Sequence, residues 1–318
     1  MPGSIRLDTL RTLDIDLGGP VNLEATLECG QAFRWRKVAI PGRRDVAASY
    51  LGVMPLLPAS GRRGTRQIAA IVGQTDKVTD RLTVAYDAGS HGCASPGAVQ
   101  EAILRYFSAG DDLPAIERDI AGADPVMAAT APPAHGLRIL RQDPWECLAS
   151  YVLSINNNIP NIGKIVEHLA RYLGEPVGFG ESGFPSPELV ACQENGFLRE
   201  SKCGFRDRYL KDATEKVVSG EVDLAALGDM PTEQARERLM RIRGVGPKVA
   251  DCVLLFAYHR LDVFPVDVWI ARAMSRFYLD GRPVTPKVAR EEGARRFGAL
   301  AGYAQEYLFC HIRSGLAG

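Results

Sequence analysis

Over residues 5–107 apolar and polar positions alternate in short runs, as in 32–36 (AFRWR) and 82–86 (LTVAY), broken by glycine, proline and serine. A two-residue period puts successive side chains on opposite faces of a strand, so this part predicts antiparallel strands. Segment 60–66 (SGRRGTR) predicts an exposed loop, and the Pro/Ala-rich stretch 131–135 a linker. Beyond it the period becomes helical. Asp143 can cap a helix with Pro144 at its first position and Glu146 three after the cap. Leu148, Tyr151, Val152 and Ile155 follow at helical spacing. A second run carries Ile162, Ile165, Val166, Leu169 and Tyr172 on one face and stops at Gly174. Further helical pattern covers 207–218, 232–242, 247–257, 268–278, 286–297 and 303–312. The predicted class is α+β: an N-terminal antiparallel β domain over 1–130, then an all-helical body over 131–318. No internal repeat of useful length is visible.

With 318 residues the chain can bury a sizeable core, as one large domain or two smaller ones. No apolar run is long enough for a membrane helix. The first residues are charged and alternating, without the apolar stretch of a secretory signal. The seven cysteines, Cys29, Cys93, Cys147, Cys192, Cys203, Cys252 and Cys310, are odd in number and scattered, as are the five histidines. Neither a disulfide framework nor a structural zinc is expected, and a reducing intracellular compartment is. The 38 basic and 38 acidic residues cancel, which counts mildly against a nucleic-acid partner. Local density offsets this: Arg199, Lys202, Arg206, Arg208 and Lys211, then Arg236, Arg238, Arg241 and Arg243, can neutralise phosphates or serve as solvated helix faces.

The stretch 239–252 (LMRIRGVGPKVADC) interrupts one helical pattern with two glycines and restarts another at once. Gly244 and Gly246 can take positive φ, and their missing side chains let another backbone approach. A turn ending on a helix N-terminus aims N–H groups outward, an anion site suited to a DNA phosphate. The same residues also fit an αα-hairpin with no ligand. Lys248 stands in the first helical turn, where the macrodipole disfavours a cation. That field, with partial burial, favours the neutral amine a nucleophile requires. Cys252 lies one turn on along the same face, where it also reads as a small core residue. In 264–269 (FPVDVW) Asp267 precedes a helical run and predicts an N-cap. A carboxylate fixed there can also support positive charge developing nearby.

The segment 239–269 resembles the helix-hairpin-helix-Gly/Pro-Asp (HhH-GPD) signature of base-excision DNA glycosylases, specifically the 8-oxoguanine DNA glycosylase/lyase branch. Stretches 29–36 (CGQAFRWR), 143–162 (DPWECLASYVLSINNNIPNI), 204–210 (GFRDRYL) and 301–310 (AGYAQEYLFC) are similar to further segments of that branch, in the same order. The resemblance covers 20–36 and 137–313. It implies an HhH-GPD body with its hairpin over 232–257, and a monomeric intracellular repair enzyme acting on double-stranded DNA that contains oxidised guanine.

The resemblance also implies roles. Lys248 would attack C1′, expel the base and form a Schiff base that permits β-elimination, while Asp267 would stabilise the oxocarbenium-like sugar and position Lys248. The base must be flipped out to be read. Cys252 and Phe309 would sandwich it, Gln305 would bond its Watson–Crick edge, and the Gly30 carbonyl would accept N7–H, a hydrogen that guanine lacks. Asn156 would fill the gap, Arg206 would read the orphaned cytosine, and Phe205 would wedge into the stack where the family commonly has tyrosine. Asn161 replaces an arginine that usually touches the cytosine, and Trp269 replaces a phosphate-binding histidine. Only Cys310 follows Asp267, so the four-cysteine iron–sulfur loop of related glycosylases is missing and no cofactor is expected. An amine-based lyase needs no metal, and a monovalent cation on the hairpin carbonyls is compatible. Two rivals are a monofunctional alkyl-base glycosylase, against which Lys248 argues, and a non-enzymatic hairpin module, against which the pocket residues argue.

Overall fold

The computed structural model describes residues 9–315 except 41, 44, 57–65, 90–93, 131–133, 194–197 and 199. Most of the expected loop 60–66, the first three residues of the expected linker, Cys93 and Arg199 lie outside the described residues. Strands β1 (Leu10–Val21), β2 (Arg36–Lys37), β3 (Ala48–Pro55), β4 (Gln67–Gln74) and β5 (Thr79–Asp87) form one antiparallel sheet in the order β1-β5-β4-β3-β2. The central strands read as nearly continuous apolar runs because both faces are covered. Tyr50, Met54, Ile68, Ala70 and Val72 face one core, and Leu51, Val53, Ala69 and Ile71 face a second with Val177 and Phe179.

The N-terminal region is less purely β than its alternation predicts. Helices α1 (Leu23–Glu28) and α2 (Pro96–Tyr106) interrupt it. Asn22 caps α1 by accepting the Ala25 N–H at 3.1 Å, and Ser95 caps α2 by accepting that of Ala98 at 3.2 Å. In 32–36 only Arg36 is in a strand. Arg34 turns inward to Glu146 and Glu167, at 3.6 and 3.4 Å, and Trp35 donates to the Tyr106 hydroxyl at 3.0 Å. Those tertiary partners override the local period.

The helical body contains α3 (Leu113–Ala123), α4 (Pro125–Thr130), α5 (Pro144–Leu153), α6 (Ile159–Leu173), α7 (Pro187–Ala191), α8 (Asp207–Ser219), α9 (Thr232–Leu239), α10 (Pro247–Tyr258), α11 (Val268–Tyr278), α12 (Pro286–Phe297) and α13 (Ala301–Gly315). Leu113, Ile120 and Met127 join its core, which therefore reaches across residue 130. Helix α5 is apolar on all sides and buried at its centre. Asp143 accepts the N–H groups of Trp145 and Glu146 at 3.0 and 2.9 Å. Glu146 does face Arg34, and burial raises its carboxyl to about 7. Tyr172, expected on the apolar face of α6, is 65% exposed and lies against His168 in the last turns.

One buried amide fixes the N-terminal segment to this body. Gln31 donates to the carbonyls of Thr26 and Arg138 at 2.8 and 2.9 Å and accepts the Leu140 N–H at 2.9 Å. Gln142 donates to the Gln31 carbonyl at 2.5 Å. A buried amide so fully satisfied holds a single backbone geometry, and its neighbour Gly30 is held with it.

Candidate active site

The hairpin between α9 and α10 is closed by Val245 N–H donating to the Ile242 carbonyl at 3.0 Å. Gly244 has φ +84°, and a Cβ there would stand 2.9 Å from the Tyr209 ring. Positive φ, expected at both glycines, occurs only here. Gly246 caps α10 in extended geometry, φ −102° and ψ −177°, with open space where a side chain would be. No side chain caps α10, so the N–H groups of its first turn face outward, and Pro247 at the first position has none to leave unpaired.

Beneath the turn, Arg236 Nε donates to the fully buried Asp251 at 2.6 Å. Helix α8 holds the other side: Lys216 donates to the Arg241 carbonyl at 2.6 Å, and Asp212 accepts the Arg243 N–H at 2.7 Å. Arg236, counted by sequence among the phosphate neutralisers, is therefore occupied inside the protein.

Lys248 is half-buried, its ammonium 5.0 Å from the centroid of the Tyr151 ring. Asp267 caps α11 by accepting the Ile270 N–H at 2.8 Å. These two side chains line two adjoining spaces. One is an open groove of about 1020 Å³ that also takes in Asn156, Gly244, Gly246 and Trp269. The other is a cavity of about 60 Å³ bounded by Cys29, Gly30, Tyr151, Cys252, Gln305, Glu306 and Phe309. The structure thus brings both expected catalytic residues and all four expected base-pocket residues to one cavity, from opposite ends of the chain.

Each wall has its own cause. Gly30 sits at φ +98°, and a Cβ there would meet Ile159 Cδ1 at 2.6 Å. Its carbonyl accepts the Tyr151 hydroxyl at 3.4 Å. Burial pushes the Cys252 thiol up to about 12, against the pull of Lys248, so it stays a neutral apolar wall. Gln305, which could have been a solvated surface residue, is 5% exposed and its Oε1 has no partner. Phe309 is half-buried, with the Arg313 guanidinium 5.7 Å from its ring.

The residues expected to touch DNA divide into two groups. Asn156 is exposed at φ +48° on the groove, a conformation asparagine tolerates. Trp269 is 39% exposed on the same groove, with Arg272 stacked 5.0 Å from its ring. Phe205, Arg206 and Asn161 do not line that groove. Arg206 donates to the carbonyls of Ile155, at 2.5 Å, and Asn156, so it braces the asparagine loop. Asn161, in the first turn of α6, donates to Asn157 Oδ1 in that loop at 2.8 Å. Phe205 projects at 44% exposure, edge-on to Tyr209 at 6.0 Å.

The family model for the 8-oxoguanine DNA glycosylase N-terminal domain matches residues 15–148. The chain is 34% identical over 217 residues to the probable N-glycosylase/DNA lyase of Methanothermobacter thermautotrophicus, covering 61% of this chain and 69% of that one. The chain belongs to the 8-oxoguanine DNA glycosylase family. Its fold is that of solved 8-oxoguanine glycosylases. The structure of MBOgg1 in complex with a low-affinity DNA ligand superposes with a TM-score of 0.80 at 35% identity, covering 96% of each chain. The Clostridium acetobutylicum 8-oxoguanine glycosylase/lyase, in complex with double-stranded DNA containing cytosine opposite 8-oxoguanine, gives 0.78 at 29% identity over 93% of each.

In this member of the 8-oxoguanine DNA glycosylase family the cavity also takes in Cys29, Tyr151, Phe256, Pro265 and Glu306, none of them expected there from the sequence. Tyr151 reads only as an apolar helix position, and Cys29 only as part of a motif. Glu306 carries a signal: it is the one charged residue in the run 301–310. Arg272, Lys287 and Arg290 also line the groove, and nothing in the sequence singles them out. Among the described residues no helix is long and apolar enough to cross a membrane, and no cluster of three His, Cys, Asp or Glu could hold a metal.

Proposed function

We propose that this chain removes 8-oxoguanine from duplex DNA and then cleaves the strand at the resulting site, using Lys248 as the nucleophile. The observation that carries this is the place of Lys248 and Asp267 at the junction of the open groove and the small cavity. A duplex lying along the groove has its extruded sugar at that junction and its base in the cavity, which widens to admit it.

In this reading Lys248 Nζ donates its lone pair to C1′ while the C1′–N9 bond breaks, its electrons leaving on the purine. Asp267, held at its cap, faces the positive charge that develops on the sugar. Loss of a proton from nitrogen and opening of the ring at O4′ give the Schiff base. That imine acidifies C2′–H, and removal of the proton expels the 3′-phosphate. Cys252 and Phe309 supply the apolar faces for the base, Gln305 the acceptor for its Watson–Crick edge, and the Gly30 carbonyl the acceptor for N7–H. The uncapped start of α10 at Gly246 takes a phosphate, with Gly244 shaping the turn, and Arg272 with Trp269 supplies the cationic contact of the family's histidine. Asn156 fills the vacated position, Phe205 wedges beside it, and Arg206 reads the orphaned base, preferring cytosine, once it exchanges its bonds to the Ile155 and Asn156 carbonyls for that base. A monovalent cation on the hairpin carbonyls would share that edge with Lys216, already on the Arg241 carbonyl. Such a substrate places the protein with the DNA inside the cell.

The test is incubation with duplexes carrying 8-oxoguanine opposite each of the four bases, with base release and nicking followed separately. Release with nicking, fastest opposite cytosine, is expected. Release without any nicking on these duplexes or on an abasic duplex would instead make this a monofunctional enzyme.

A further inference from the structure

The two polar side chains of α13 that line the cavity both present acceptor oxygens with no partner. Gln305 Oε1 and Glu306 Oε2 are buried and unbonded, on residues 5% and 4% exposed. A buried acceptor left without a donor is costly, so a wall with two of them selects an occupant that brings N–H groups to more than one edge. Gln305 serves the Watson–Crick edge in the function proposed above. Glu306 is elsewhere: it lines the cavity together with Cys29 and Gly30, and the Cys29 thiol donates to the Thr26 carbonyl at 3.3 Å. Glu306 therefore belongs to the wall that carries the Gly30 carbonyl.

We propose that Glu306 is a specificity-determining residue of this pocket, a second acceptor for the N7–H of 8-oxoguanine whose carboxylate repels the N7 lone pair of guanine. The proposal rests on the 8-oxoguanine reading and adds a contact to it. A carbonyl attracts N7–H and repels the guanine lone pair only through its partial charge. An added carboxylate brings a full negative charge, which strengthens both effects, because guanine offers a lone pair where the lesion offers a hydrogen.

The charge state of Glu306 then matters. Burial raises its carboxyl to about 7, with the negative charge of Asp267 adding and the approach of Cys29, Arg313 and Lys248 opposing. The other titratable groups around it are Tyr151 on α5, Cys252 on α10 and Cys310 on its own helix, each itself raised by burial and neutral. Above its midpoint Glu306 is an anion that accepts N7–H and rejects guanine. Below it, the protonated carboxyl can donate to the guanine N7, and the distinction weakens. Lesion recognition is thus linked to loss of a proton and improves as pH rises through the midpoint.

The experiment measures affinity of the full chain for duplexes carrying a cleavage-resistant 2′-fluoro 8-oxoguanine nucleotide or its guanine counterpart opposite cytosine, from about pH 6 to about pH 8.5. The lesion-to-guanine ratio should rise about tenfold across that window in the parent. In Glu306→Gln the ratio should be lower at high pH and flat, because an amide can turn either its donor or its acceptor to N7. Glu306→Asp should keep a pH-dependent ratio. A flat ratio in the parent, or the parent's pH-dependent ratio retained in Glu306→Gln, overturns the role of Glu306. No preference for the lesion at any pH in any of the three proteins would instead remove the 8-oxoguanine reading itself.

Discussion

Tyr151 holds its ring 5.0 Å below the Lys248 ammonium while its hydroxyl donates to the Gly30 and Gln31 carbonyls at 3.4 and 3.3 Å. One side chain thus touches both the proposed nucleophile and the segment proposed to read the lesion. Phe256, stacked on the ring at 5.7 Å between centroids, keeps it in place. Tyr151→Phe retains the ring and loses only the ties to the Gly30 and Gln31 carbonyls. We expect 8-oxoguanine excision to fall by up to about tenfold, the worth of one or two hydrogen bonds, while nicking of a preformed abasic duplex stays near the parent rate. Single-turnover assays on the two duplexes separate these outcomes. Equal loss on both would tie the hydroxyl to Lys248 rather than to Gly30.

Gly30 offers a second handle on the same wall. Its φ of +98° strains any side chain, and an added Cβ would stand 2.6 Å from Ile159 Cδ1, which leaves no room for a methyl group. Gly30→Ala should lose lesion excision far more than binding to undamaged duplex. Ile159→Val in that background removes the clashing carbon and should restore part of the excision. Parallel loss of excision and undamaged binding, with no rescue, would mean that Gly30 serves only the fold.

Much of this site is legible in the sequence because it rests on local chemistry. The cap at Asp143, the cap at Asp267 and the glycine turn before Lys248 each need only a few neighbouring residues. What the sequence does not show comes from distant pairing. Nothing near Arg236 says that Asp251 will bury it, and nothing near 32–36 says that Glu146 and Tyr106 will pull Arg34 and Trp35 out of a strand. Gly246 shows the limit of a residue-type argument: the freedom to take positive φ is present and unused, and only the missing side chain matters. Glu306 stays hidden because its meaning depends on sharing one cavity with Cys29 and Gly30, from the other end of the chain.

Discrimination of the opposite base should be present but soft. Arg206 must give up the carbonyls of Ile155 and Asn156 to reach the base, and Asn161 is uncharged and tied to Asn157, so the readout rests on one arginine where the family usually has two. A good bidentate contact gives about 1–3 kcal/mol of discrimination, so Asn161→Arg should sharpen the preference for cytosine by roughly tenfold or more. The check is excision opposite C, A, G and T in parent and variant. A parent already strict for cytosine, and unchanged by the arginine, contradicts this role for position 161.

The proposed chemistry depends on attack of the Lys248 amine on the sugar. Borohydride reduction during turnover on an 8-oxoguanine duplex, followed by digestion and mass mapping, tests it most directly. One reduced DNA adduct is expected, on the peptide containing Lys248, and it should disappear together with nicking in Lys248→Gln while binding to the lesion duplex persists. An adduct mapped to another amine, or nicking at the parent rate in Lys248→Gln, would contradict it.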